Sequence, residues 1–230
     1  MAPKITLHWL DDSRAQRILW LLEELALEYE IKVYKRNEKN LAPKELYDVH
    51  PLGKSPVIEV DGTILAESGA ITEFLIERFG QGKLSIPADS SDLSARASYL
   101  YWLHYAEGSA MFPVMLTMIF TQIPKSAPWF LRPVVNTISS GALTNFVIPR
   151  CKQHFAFFDK SLEGKDFLVG GKLTGADVMM VFLAEALQLL PLEKAEYPNI
   201  QRWYEALQQR PAYKTAEEKG AKPDLGRFLN

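Results

Sequence analysis

The stretch that decides the fold is GKSPVIEVDGTILAESGAI, residues 53–71. Two short runs, Val57–Val60 and Thr63–Ala66, flank Asp61-Gly62. Asp-Gly between such runs is a strong hairpin signal, because tight turns need positive φ. Pro56 heads the first run. Proline gives no N–H to a strand ladder, so it belongs at a strand start or an edge. From Ser68 the spacing changes, with Ile71, Phe74 and Leu75 on one helical face behind a residue type that opens helices.

Working outward, Ile5-Thr6-Leu7-His8-Trp9 alternates apolar and polar, a strand signal. Asp11-Asp12-Ser13-Arg14 offers capping chemistry, and Ile18, Leu21, Leu22 and Leu25 then mark one face of a helix. Ile31 and Val33 mark a second strand, so the first two strands should be parallel through a right-handed crossover. Lys44-Glu45-Leu46 after Pro43 predicts a short helix ending before Pro51. The expected order is β-α-β-α-β-β-α. GQGKLSIPADSSDL follows as a Gly/Pro/Ser-rich linker. Everything beyond it reads as helix. TGAD (Thr174–Asp177) has the spacing of a capping box, opening the run Val178–Leu190. Ile200, Trp203, Tyr204 and Leu207 fall at helical spacing. The fold class is α/β plus all-α: an α/β domain over 1–80, a linker at 81–93 and a helical domain over 94–230.

Composition narrows the function classes. With 47% hydrophobic and 23% charged residues and a net charge of −2, the chain reads as globular and gives nucleic acid no basic patch to meet. The lone cysteine, Cys151, excludes an internal disulfide and a CxxC site, fits a reducing compartment, and is expected to be a buried structural thiol. The N-terminal residues show no long apolar core, so a signal peptide is not expected. His8, His50, His104 and His154 have no ligand spacing, so no metal is implied. From Ser109 to Phe158 there is no acidic residue, only Lys125, Arg132, Arg150 and Lys152. That segment reads either as buried core with basic ends or as an apolar pocket or membrane-facing surface.

The strand order, the proline before the third strand, Glu67-Ser68 and the helical second half resemble the soluble glutathione transferases, and most closely their fungal and bacterial theta-like branch. The segments that carry the likeness are LHWLDDSRAQRILWLLEEL, HPLGKSPVIEVDG, LAESGAI and GKLTGADVMM. The resemblance implies a thioredoxin-like first domain that binds glutathione as co-substrate. It also implies conjugation of the glutathione thiolate to hydrophobic electrophiles, a role in detoxification, a glutathione peroxidase activity, a homodimer and a cytoplasmic location. With the acid-free segment, weak peripheral membrane association joins these expectations.

Residue by residue, Ser13 is the expected thiolate stabiliser, with backbone amides at the first helix as the alternative. Arg14 is expected to touch glutathione or offset Asp11 and Asp12, whose charges oppose a nearby thiolate. The family's tyrosine position falls near His8, so a tyrosine mechanism is not expected. The resemblance implies a cis bond before Pro56, exposing the backbone of Ser55 to the cysteinyl group; from the residues alone, a trans proline starting a strand is the simpler reading. Lys54 would meet the glycyl carboxylate, or else be a solvated charge. Glu67 and Ser68 would take the γ-glutamyl end, the helix N-terminus favouring its carboxylate. Trp102, Tyr105, Met111 and Phe112 are the candidate electrophile pocket, with interhelical core or dimer contacts as the alternative. Glu107 would reach the partner's glutathione. Two other readings stay open: a glutathione or ligand binder without turnover, and a glutathione-dependent thiol-disulfide reductase.

Overall fold

The hairpin forms where the Asp-Gly turn puts it. β3 (Val57–Val60) and β4 (Thr63–Ala66) pair antiparallel, Val60 opposite Thr63 and Val57 opposite Ala66. This is seen in a computed structural model that describes residues 3–38 and 40–220. β1 (Ile5–Leu10) runs parallel to β2 (Glu30–Tyr34) through α1 (Ala15–Glu24), and antiparallel to β3. The sheet order is β2-β1-β3-β4. α2 (Lys44–Val49) and α3 (Ser68–Phe79) complete the expected β-α-β-α-β-β-α series.

One strand departs from its pattern. Alternation in Ile5–Trp9 usually marks a strand with one wet face. All six residues of β1 are buried, including Thr6 and His8, and β2 and β3 pair with its two edges. His8 answers its burial with a 2.8 Å hydrogen bond between Nδ1 and the Tyr34 hydroxyl, and burial lowers its pKa.

The helical part begins with α4 (Leu93–Tyr105), which widens into a π-helical segment, Ala106–Ala110, and continues as α5 (Met111–Ser126). α6 (Arg132–Ala142) passes through a second π segment, Leu143–Val147, into α7 (Ile148–Ser161). α8 (Gly175–Leu187), α9 (Pro198–Gln208) and α10 (Pro211–Lys219) follow. Residues 221–230 of the expected helical region lie outside the described residues. Every residue of α8 is buried, so this helix is the axis of the helical half.

At its start, Asp177 gathers four donors: the backbone N–H of Leu168 (2.9 Å) and of Thr174 (2.9 Å), the Thr174 hydroxyl (2.9 Å) and the Trp203 indole N–H (3.2 Å). Burial pushes the Asp177 carboxyl up to about 6 against those donors, which pull it down. Its folded pKa lies above the unfolded value, so this group favours the native state as pH falls from about 6 towards 4.

The two halves share one hydrophobic core. α1 is buried along Ala15–Leu22, and its polar side chains reach into the helical half. Arg17 Nη1 donates to the Met179 carbonyl (2.9 Å) and Gln16 Nε2 to that of Ala216 (2.8 Å). Arg210 grips Glu24 with two bonds of 2.6 and 2.8 Å. Gly175 lies so close to α3 that a Cβ there would sit 2.7 Å from Ile76 Cδ1. These contacts fix α1, and with it the loop before it, against the helices.

Replacing Asp177 with alanine leaves four buried donors without their acceptor. Asp177→Ala is expected to lower the unfolding free energy by at least about 3 kcal/mol, read by urea unfolding. A loss under about 1 kcal/mol would show that water takes the carboxylate's place.

Candidate active site

The strand register assembles the site. β1 ends beside the start of β3, since His8 lies opposite Val57. β3 starts beside the end of β4, since Val57 lies opposite Ala66. The Asp11–Arg14 loop, the Ser55-Pro56 turn and Glu67-Ser68 therefore leave the sheet at one edge. The Ser55-Pro56 peptide is cis, as the resemblance implies.

Ser55 ties this edge together through its side chain. Its hydroxyl donates to the His8 carbonyl (2.9 Å) and accepts from Leu10 N–H (3.2 Å) and from the Ser13 hydroxyl (3.3 Å). One donor and two acceptor positions are thus all engaged. The sequence directed attention to the Ser55 backbone; its hydroxyl is equally committed, to structure. Ser13 is buried, and its Oγ also accepts from the N–H of Ala15, the first residue of α1, at 3.2 Å.

The aspartates are held by Arg36. Its backbone N–H donates to the Asp11 carboxylate (2.9 Å), Nε to the Asp11 carbonyl (3.2 Å), Nη2 to the Asp12 carbonyl (3.2 Å) and Nη1 to that of Asn40 (3.1 Å). Asp12 keeps a positive φ of 48°. The Asp11 carboxylate is thereby turned towards the chain after β2, which answers part of the charge problem it posed. Sequence reasoning missed Arg36, since nothing local ties it to residues 11–12.

A cleft of about 630 Å³ opens here between the two halves. Ser13, Arg14, Lys54 and Ser55 line it together with Asp12, Arg36, Tyr47 and Gly53. Its opposite wall is Met111, Met115, Met118 and Ile119 of α5, with Phe182 of α8. Glu67 and Ser68 lie beside the cleft rather than in its wall. Ser68 is buried as the first residue of α3, and exposed Glu67 holds a strained backbone, φ 73° and ψ 116°. Arg14 forms an ion pair with Glu107 of the π segment, whose other oxygen lies 3.0 Å from Arg17 Nη1. Glu107 is therefore engaged by two arginines of its own chain.

Of the four candidate electrophile residues, the structure brings only Met111 into the cleft. Trp102 and Tyr105 are buried in an aromatic cluster: Trp102 stacks on Phe157 at 5.3 Å, and the Tyr105 hydroxyl meets His154 Nδ1 at 2.5 Å. Phe112 is 60% exposed and off the cleft wall. The reason is helical phase. Met111, Met115, Met118 and Gln122 repeat at four, three and four residues along α5 and form one face, and Phe112 falls about 100° away from it. That spacing was the signal available in the sequence. Cys151 is fully buried with its thiol pKa raised by burial, as expected of a structural thiol. Among the described residues no group of three or more His, Cys, Asp or Glu is placed to hold a metal.

Comparison with known proteins agrees with this geometry. The family model for the glutathione S-transferase N-terminal domain matches residues 3–77, and that for the C-terminal domain matches residues 123–211. Glutathione S-transferase 1 of Saccharomyces cerevisiae is 36% identical, the match covering 94% of this chain and 95% of that protein. Glutathione S-transferase 3 of Schizosaccharomyces pombe is 34% identical over 94% of this chain and 87% of its own length. A solved glutathione S-transferase from Actinobacillus pleuropneumoniae superposes with a TM-score of 0.75 at 36% identity, covering 97% of this chain and 96% of its own. A glutathione transferase from Phanerochaete chrysosporium, solved with oxidized glutathione, shares the fold at 19% identity (TM-score 0.73; 95% and 96% covered). Both domain models matched in chain order, and relatives at 34–36% identity over nearly the whole chain, establish that this protein belongs to the glutathione S-transferase family.

Proposed function

We propose that the chain binds glutathione along the edge from Lys54 to Ser68 and adds its thiolate to hydrophobic electrophiles held against α5. The observation that carries this reading is the two-faced cleft, with Ser13, Arg14 and Lys54 on one rim and a methionine wall on the other. Ser68 at the start of α3 suits the γ-glutamyl carboxylate, and exposed Glu67 its ammonium. Lys54, exposed at the other end of the edge, suits the glycyl carboxylate.

A free thiol with a pKa of ~8.5 is mostly protonated at neutral pH. Lowering that value by ~2 units takes ~2.7 kcal/mol of preferential stabilisation of the anion. A hydrogen bond to a charged group supplies ~1.5–3 kcal/mol, and a helix N-terminus adds to it. Ser13 sits at the start of α1 and can supply both. Its present bond to Ser55 is long, at 3.3 Å, and joins two neutral groups. Exchanging it for a bond to a thiolate is therefore favourable. Soft, flexible methionines at 111, 115 and 118 accept apolar ligands of varied shape. The electrophile then meets the sulfur where the two walls converge. Peroxide reduction would use the same thiolate. A reductase with its own nucleophile is disfavoured, since the lone cysteine is buried. We assign the chain as a homodimer, tested by sedimentation.

Ser13→Ala is expected to lower kcat about 10²-fold with a generic aromatic electrophile. Without the hydroxyl the thiol pKa rises, so the activity limb moves to higher pH. An unchanged rate and pH profile would assign the thiolate to backbone amides. Retention on immobilised glutathione with no turnover in the wild type would make the protein a binder.

A second reading concerns the α5–α6 hairpin. Its tip exposes Trp129 (80%), Phe130 (62%) and Leu131, and α6 buries only Ser139 while exposing Val134 and Ile138. The whole hairpin lies in the acid-free segment, with Lys125 and Arg132 near the tip. Aromatic, cationic and free of carboxylates, this tip suits weak contact with an anionic membrane surface. No helix among the described residues is long and apolar enough to cross one. The other four tryptophans are buried, so Trp129 dominates any response of tryptophan emission to lipid. Anionic vesicles at low salt are expected to shift that emission to the blue, and salt to reverse it. No shift at low salt would confine the hairpin to core and pocket.

A further inference from the structure

One side chain from outside the loop holds the backbone that leads into Ser13. Arg36 lies two residues past the end of β2. Its guanidinium donates from Nε to the Asp11 carbonyl (3.2 Å), from Nη2 to the Asp12 carbonyl (3.2 Å) and from Nη1 to the Asn40 carbonyl (3.1 Å). The first two carbonyls immediately precede Ser13. The third belongs to a turn that Asn37 braces. Asn40 N–H donates to the Asn37 carbonyl (2.8 Å), Leu41 N–H to the Asn37 side-chain oxygen (3.0 Å) and Asn37 N–H to the Leu41 carbonyl (2.9 Å). A guanidinium is a planar, rigid fork. Anchored on the turn at one side, it fixes where the Asp11 and Asp12 carbonyls lie at the other.

That loop needs an outside hold. Asp12 has a φ of 48°, a left-handed conformation that surroundings must enforce on a residue with a Cβ. The peptide after Asp12 sets the direction in which the chain enters Ser13. The Asp12 Cβ direction sets where a carboxylate lies in the cleft that Asp12 lines.

We infer that Arg36 is a positioning residue for the glutathione thiolate, acting through Asp11, Asp12 and Ser13 to keep the thiol pKa low. The inference rests on the transferase reading and deepens it. The titratable and charged groups around the thiolate position are Asp11, Asp12 and Arg14 of the loop, Arg36 after β2, Tyr47 of α2, Lys54 before β3, Glu67 before α3 and Glu107 of the π segment. α5 and α8 meet the cleft with uncharged side chains. Arg14 is paired with Glu107, which also faces Arg17. Lys54 belongs to the glycyl end in the proposed pose. The two aspartates are then the charges whose placement decides how readily the thiol ionises. Like charge brought near a thiolate raises the thiol pKa, so releasing the loop moves the activity limb to higher pH.

The test follows kcat against pH with a generic aromatic electrophile at saturating glutathione. It adds the ultraviolet titration of the bound thiol, which needs no turnover. The proteins are the wild type, Arg36→Gln, Arg36→Lys, Asp12→Asn and the double variant Arg36→Gln with Asp12→Asn. Arg36→Gln is expected to raise both the limb and the titration by about one pH unit, which is about 10-fold in kcat below the limb, with a smaller change in the KM for glutathione. Arg36→Lys keeps the charge but loses the fork, and is expected to shift them as far. At this half-buried position it carries the same test alone if Arg36→Gln does not fold. Asp12→Asn is expected to take back most of the shift in the Arg36→Gln background and to move the limb less in the wild type, a coupling that a merely structural role does not produce. An unmoved limb in Arg36→Gln would overturn the inference. Full restoration by lysine would overturn it in favour of a through-space charge. A raised KM for glutathione with the limb in place would make Arg36 a ligand of the glycyl carboxylate instead. Equal effects of Asp12→Asn in both backgrounds would show that Arg36 does not act through the loop. A wild type that neither turns over nor ionises bound glutathione would sink the transferase reading itself.

Discussion

The hydroxyl of Ser55 holds the site in register. It joins the end of β1, through His8 and Leu10, to the loop that carries Ser13, and does so from the residue that leads into β3. Each bond contributes only about 1 kcal/mol net. Their joint effect is positional, since the end of β1 and the loop that follows it meet, at one oxygen, a residue more than 40 positions away in sequence. The order β2-β1-β3-β4 makes that meeting possible. A slip of β3 by one residue against β1 would turn its buried side chains outward and carry Ser55 away from Ser13.

Electrostatics at this edge follow from the same placement. Two aspartates beside a developing thiolate would oppose it. Arg36 fixes both by their backbone carbonyls, and its own N–H takes the Asp11 carboxylate. Arg14 is balanced by Glu107, which also faces buried Arg17. Burial lowers the Arg17 pKa while Glu107 raises it, so the carboxylate offsets part of the cost of burying that guanidinium. The result is a chain of alternating charges from the cleft rim into the contact between α1 and the helical half.

Much of this was legible in the sequence because it is local. Asp61-Gly62 fixed the hairpin, Thr174-x-x-Asp177 announced the start of α8, and Ser13 stood between a strand pattern and a helix pattern. What was not legible depends on distance or on helical phase. Arg36 acts across the sheet, and no spacing reveals that. Of the four residues expected at the electrophile wall, Met111 lines the cleft while Trp102, Tyr105 and Phe112 do not, because their helical phase differs. Trp102 and Tyr105 face the helical core with Phe157, while Met111, Met115 and Met118 face the cleft. β1 shows a related limit: alternation signals a strand, but it does not reveal that both of its faces are covered.

The account reduces to one geometric claim: the sulfur of bound glutathione lies at the start of α1, across from the methionines of α5. A crystal structure of the complex tests it directly. The account predicts the sulfur within about 3.5 Å of Ser13 Oγ, with the γ-glutamyl end at Glu67 and Ser68 and the Ser13–Ser55 bond broken. A sulfur placed away from Ser13, or a tripeptide bound in the opposite direction, would contradict it.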